Sequence, residues 1–272
     1  YSVAANRLSA ERLPRRVGRA MGAHGTASQL AAVAAAPVVT VSLWYDWRYA
    51  FYGLALAAAL TTVLVVALAG RTDLPDAGRN DTAFVGGARS EWKLIAAGVV
   101  FLGLTGFVWQ GVFNFYELYM ISKGLPPATA RTLLTVIFAA GVPAFLISGN
   151  LADRLPHVPY LLGIVTAFLL SIVLAVFASG LAAIGLASAL VGFTVHMVFP
   201  AGDTYLLGSL PNDSRASAYA VYSAGMMTTQ AGGARAVGGG AAAGGGSRAR
   251  VLSPAGRRAP PVGCVVRAVL AR

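Results

Sequence analysis

The 272 residues are 57% hydrophobic and only 11% charged, with one cysteine, Cys264, and a mean hydropathy of +0.67. A soluble domain typically carries about 25% charged residues, so the composition excludes one and points to a polytopic membrane protein; a single cysteine leaves no disulfide framework or cysteine metal cluster. The net charge of +11 is uneven, because residues 233–272 hold seven Lys and Arg with no acid, so it is no argument for nucleic acid as a partner.

Residues 1–20 are Arg-rich without an apolar core, unlike a secretory signal. The sequence opens on Tyr1 and is expected to begin inside a longer protein. Six apolar runs follow, at 21–43, 49–68, 95–120, 132–147, 158–178 and 181–207, with a partial seventh at 216–232. Crossing the hydrocarbon takes about 17–25 helical residues. The fourth run reaches that length only if residues 128–131 are helical. Alternation across the bilayer puts 1–20, 70–93, 149–157 and 209–215 on one side with eleven basic residues. The other side has three, Arg48, Lys123 and Arg131. The first side is therefore cytoplasmic, and Trp44, Tyr45, Trp47 and Tyr49 form an aromatic anchor at the outer interface.

The second run carries only Thr61 and Thr62 as polar side chains, and the fifth only Thr166 and Ser171. Both should face lipid over much of their surface. The other runs place polar residues at helical spacing: His24 and Ser28; Gln110, Asn114 and Glu117; Gly192, His196 and Asp203; Tyr219, Tyr222, Met226 and Gln230. Polar atoms in hydrocarbon are costly unless they line a cavity or pair. Gln110, Asn114, His196, Tyr222 and Gln230 are accordingly the candidate solute path. A packing role stays open for Gln110 and Asn114, and His196 reads first as a packed, hydrogen-bonded residue. Glu117 and Asp203 lie near run ends, so no deep carboxylate is identified.

The sharpest motif is Gly149-x-x-x-Asp153-Arg154, in the turn between the fourth and fifth runs. It resembles the loop signature of the major facilitator superfamily, Gly-x-x-x-Asp-Arg/Lys followed by glycine and basic residues, although Pro156 and His157 stand where those would be. The charged stretch 70–93 resembles that family's central linker. Trp47-Arg48 with Phe51 resembles the Trp-Arg-x-x-Phe before its sixth helix, and Gly124-Leu125 the start of its eighth. The resemblance covers residues 1–232 and implies an all-α polytopic membrane fold, a fragment holding about the fifth to eleventh of twelve helices. Residues 1–69 would end the N-terminal bundle, 70–93 would be the cytoplasmic linker and 94–232 the C-terminal bundle.

The resemblance also implies secondary active transport of a small-molecule solute by alternating access, in a monomer in the plasma membrane. It leaves a coupling proton or sodium ion open, and it implies no enzyme activity, cofactor or metal. On the family's pattern Gly149, Asp153 and Arg154 form a cytoplasmic gate against the start of the first span, at Arg16 and Arg19. A carboxylate at a helix amino terminus contributes about 0.3–1 kcal/mol, up to about 2 when partly buried. The competing reading is a solvated turn. Ala36-Pro37 resembles part of the family's antiporter signature, but Thr40 and Val41 replace its paired glycines, so Pro37 supports only a bent helix.

Two rivals remain. An intramembrane hydrolase would need clustered catalytic or ligand residues, and His24, His157 and His196 lie on different runs. A non-functional fragment is the other, because the leading helices are absent and residues 233–272 turn abruptly Gly-, Ala- and Arg-rich. That tail is expected to be disordered, either as an out-of-frame translation of a GC-rich gene or as a genuine basic tail.

Overall fold

The computed structural model describes residues 16–69, 84–212 and 214–248. Among the described residues every regular element is helical: α1 Val17–Leu43, α2 Arg48–Ala69, α3 Phe84–Ser90, α4 Trp92–Ser122, α5 Pro127–Ala152, α6 His157–Phe177, α7 Leu181–Ser209 and α8 Arg215–Arg248. Five of these, α2 and α4 to α7, are long and apolar enough to cross a membrane.

Helix ends follow local chemistry. After α4 the chain turns at Gly124, whose φ of +87° suits a residue without Cβ. Pro127 then opens α5 at a first-turn position where its missing N–H costs nothing. The helix therefore includes residues 128–131 and runs for 26 residues, which gives the fourth span its length. The turn after α6 is tied down by Lys123, whose Nζ donates to the carbonyls of Ala175 (3.0 Å), Val176 (2.8 Å) and Ala178 (2.6 Å). Those are carbonyls that a helix end leaves without intrahelical partners. At the same end of the bundle Arg131 Nε pairs with Glu117 Oε1 at 3.0 Å.

α4 lies along α8, α5 lies between α1 and α7, and α6 covers α7. α6 buries one stripe, Leu161, Ile164, Phe168, Ser171 and Ala175, at the alternating steps of three and four that keep residues on one helical face. Within the stripe Ser171 and Thr194 share a hydrogen bond of 3.1 Å. Leu162, Leu169, Leu170 and Val173 on the rest of α6 are exposed. α2 buries nothing: every residue from 51 to 68 is exposed. In hydrocarbon that exposure carries no hydrophobic cost, since lipid tails are as apolar as the side chains. Trp44, Tyr45 and Trp47 are exposed beside it, with the Arg48 guanidinium 5.0 Å from the Trp47 ring.

Two expectations change. The linker 70–93 is not irregular to its end, because α3 forms at 84–90 and packs against α8. Disorder from residue 233 is replaced by helix as far as Arg248. Once started, a helix gains one hydrogen bond per added residue, and Gly233 seats against the Phe107 backbone, where a Cβ would lie 2.9 Å from the carbonyl carbon. Residues 249–272, and most of the linker, lie outside the described residues.

Candidate functional site

α1 and α5 cross at a contact made of glycines. A Cβ on Gly22 would sit 2.5 Å from the Phe145 carbonyl oxygen, and one on Gly149 would sit 2.9 Å from the Gly18 carbonyl carbon and 3.0 Å from Gly22 Cα. Only residues without side chains let two backbones approach so closely. The crossing brings the end of α5 over the start of α1. There Asp153 Oδ1 accepts the Gly18 N–H at 2.7 Å and Oδ2 accepts the Arg19 N–H at 3.0 Å. The first N–H groups of a helix have no intrahelical partner, and Arg16 at the N-cap position makes no side-chain cap. The cap comes instead from a carboxylate on another helix, placed at the positive end of the α1 dipole.

The arginines contribute differently from the expectation. Arg19 Nε donates to Asn150 Oδ1 at 3.2 Å, so its side chain fastens the same corner without pairing with Asp153. Arg16 and Arg154 are exposed. The Arg16 carbonyl accepts the Ala20 N–H, and the Arg154 N–H donates to Leu151 O. Gly149 is buried in the crossing itself.

Inside this corner lies a cavity of about 220 Å³, walled by α1, α4, α5, α7 and α8. Met21, His24 and Ser28 border it from α1, Thr105 and Gly106 from α4, Phe145 from α5, Phe199 and Asp203 from α7, and Tyr219, Tyr222, Ser223 and Met226 from α8. Tyr219 donates its hydroxyl to Asp203 Oδ1 at 2.8 Å. The Tyr219 and Tyr222 rings lie 5.6 Å apart, and the Tyr222 hydroxyl donates to Met226 Sδ at 3.2 Å. Among the described residues that line the cavity, Asp203 is the one carboxylate, and no Lys or Arg is present.

Of the expected solute-path residues, Tyr222 borders this cavity and the others do not. His196 is 2% exposed, with Nδ1 2.6 Å from Gly192 O, ringed by Trp109, Phe138, Phe145 and Phe199 at 5.6 to 6.3 Å. Asn114 is exposed and returns its amide to Gln110 O at 2.7 Å. Gln230 packs over Gly106, where an added Cβ would lie 2.6 Å from its amide carbon. The α4 face that borders the cavity is Leu102, Thr105 and Gly106.

Two residues are additions to the candidate site, and one of them, Asp203, reads from the sequence as lying near a run end. Asp203 lies six residues inside Ser209, about 9 Å along the helix axis, and it borders the cavity rather than the water at the helix end. The signal was available, since an acid inside an apolar run is costly without a partner. Gln29 is buried where α1 meets α5 and α7. A Cβ on Gly141 would lie 2.7 Å from Gln29 Oε1 and 2.9 Å from His196 Nδ1. Among the described residues Gln29 Oε1 has no hydrogen-bond partner.

Compared with known protein families, residues 1–239 match the Major Facilitator Superfamily. No curated protein matches the chain.

Proposed function

The chain belongs to the major facilitator superfamily, a family of multi-pass membrane transporters of small-molecule solutes, and from that premise we propose that it works by alternating access with Asp153 as its cytoplasmic latch. Residues 1–69 are the end of the N-terminal bundle and 94–232 the C-terminal bundle, and the solute passes between α1 and the helices α4, α5, α7 and α8. The observation that carries this reading is the pair of bonds from the Gly18 and Arg19 N–H groups to Asp153. They join the start of α1, in one bundle, to the end of α5, in the other.

The latch works through small terms. A carboxylate at a partly buried helix amino terminus contributes about 1–2 kcal/mol, which shifts a two-state equilibrium by a factor of roughly 5–30. That is strong enough to favour the closed cytoplasmic side and weak enough for solute binding to reverse it. The glycine crossing beneath is suited to opening, because flat backbone surfaces separate without unlocking side chains. In this reading the protein is a monomeric plasma-membrane permease without enzyme activity, and a coupling proton or sodium ion stays open.

Labelling of a cysteine at the cavity wall tests the latch. In a Cys264→Ser background, Ser28→Cys should react severalfold faster with an impermeant maleimide from the cytoplasmic side once Asp153→Asn is added. An unchanged rate removes the latch.

A further inference from the structure

We propose that the cavity beside Asp203 binds a small organic cation, an amine or quaternary ammonium, with the carboxylate as counter-charge and the Tyr219, Tyr222, Phe145 and Phe199 rings as its walls. The proposal deepens the transport reading and rests on it for physiological purpose, although binding itself is measured without transport.

Charge is the first argument. Asp203 is the one carboxylate among the described residues that line the cavity, and no Lys or Arg balances it. Placing a carboxylate in a helix of this hydropathy is costly unless something offsets it. The Tyr219 hydroxyl offsets part of that cost through one bond to Oδ1. An ionised carboxylate offers about four acceptor positions, so one phenol does not exhaust it. An anion would be repelled there, and a neutral solute could use the acceptor positions but would leave the charge itself uncompensated.

The walls give the second argument. Aromatic faces attract a cation through the ring quadrupole, more strongly when water is excluded, and the side chains of Met21 and Met226 add polarisable wall. A hard inorganic cation needs about six or more oxygen ligands. Among the described residues no three His, Cys, Asp or Glu side chains gather at ligand spacing. Size is the third argument. At roughly 30 Å³ per water, about 220 Å³ holds some seven waters or one small ammonium.

The experiment uses the 272-residue chain in nanodiscs, with radiolabelled choline as probe and 3,3-dimethylbutan-1-ol, its uncharged carbon isostere, as competitor. Choline should bind saturably and resist the isostere. Asp203→Asn should weaken binding about tenfold or more, and Glu117→Gln, in the ion pair with Arg131 outside the cavity, should leave it within about twofold. The proposal is overturned if choline fails to bind the unaltered chain or if the isostere competes equally. Equal affinity in a folded Asp203→Asn variant overturns it too. The competition needs no variant, so a misfolded one does not spare the idea. Binding without choline counterflow in proteoliposomes would sink the transport reading and leave the site. Absent binding, with Asp153→Asn still changing Ser28→Cys labelling, would do the reverse.

Discussion

Asp153 caps the end of α5 and Asp203 stands on α7, two helices that pack together, and the two carboxylates are held in contrasting ways. Both oxygens of Asp153 are occupied by main-chain N–H groups of a third helix, α1. Asp203 receives one side-chain hydroxyl at Oδ1 and borders open space. A carboxylate whose two oxygens each accept a backbone N–H fixes where two helices sit relative to each other. One held by a single phenol beside a cavity keeps acceptor capacity for something that enters. In the proposed reading the same functional group would serve position in one place and binding in the other, with the donors around it making the difference.

The largest effect should come from the crossing on which the Asp153 contact depends. In Gly149→Val the new Cβ would meet the Gly18 carbonyl carbon at 2.9 Å and Gly22 Cα at 3.0 Å. Backbone atoms cannot rotate aside, so α1 must move away at a cost of about 3 kcal/mol. Crosslinking of Arg19→Cys to Asn150→Cys by a short bis-maleimide, at positions whose native side chains touch, should fall to background. Gly163→Val on α6 introduces a Cβ with nothing within 4 Å and should change neither crosslinking nor melting temperature. A crosslink that survives Gly149→Val would mean that the glycine contact does not position the latch.

The middle effect separates the carboxylates. Asp153→Asn replaces one acceptor by an amide donor facing the Arg19 N–H, and about 1–2 kcal/mol of closed-state preference should go with it. The companion variant Asp203→Asn should leave cytoplasmic labelling of Ser28→Cys near its original rate. Equal acceleration by both substitutions would show that the two acids act as one system, and the contrast drawn above would collapse.

Much of this architecture is legible in the sequence because lipid imposes a simple rule of about twenty apolar residues per span. The helices then extend beyond their apolar runs by a few residues, as at Trp92 and Ser122, where polar ends reach past hydrocarbon. The place where Asp153 meets the start of α1 is implied by the resemblance, but its partners are not the side chains of Arg16 and Arg19: they are the main-chain N–H groups of Gly18 and Arg19. What spacing does not reveal is the direction in which a face turns. Gln110, Asn114 and Glu117 do share a side of α4, but Asn114 bonds back to Gln110 and Glu117 pairs with Arg131. Leu102, Thr105 and Gly106 border the cavity instead. Asp203 is misjudged for a related reason: distance along the helix to Ser209 measures depth in the chain, while its surroundings are set by Tyr219, sixteen residues later on α8. Composition likewise misplaces the end of α8, which passes through residues 233–248 as helix.

The smallest effect is the most discriminating. Tyr219→Phe keeps the ring beside Tyr222 and removes only the hydroxyl that donates to Asp203 Oδ1. Side-chain hydrogen bonds between membrane helices average about 0.6 kcal/mol, with a maximum near 1.7, so the melting temperature should fall by only a degree or two. Choline affinity should change by less than about threefold, well short of the loss from Asp203→Asn, because the counter-charge and the aromatic wall both remain. A loss as large as that of Asp203→Asn would mean that the phenol holds the carboxylate in its binding geometry. The cavity acid would then resemble Asp153 after all, a group whose work depends on being fastened by its donors.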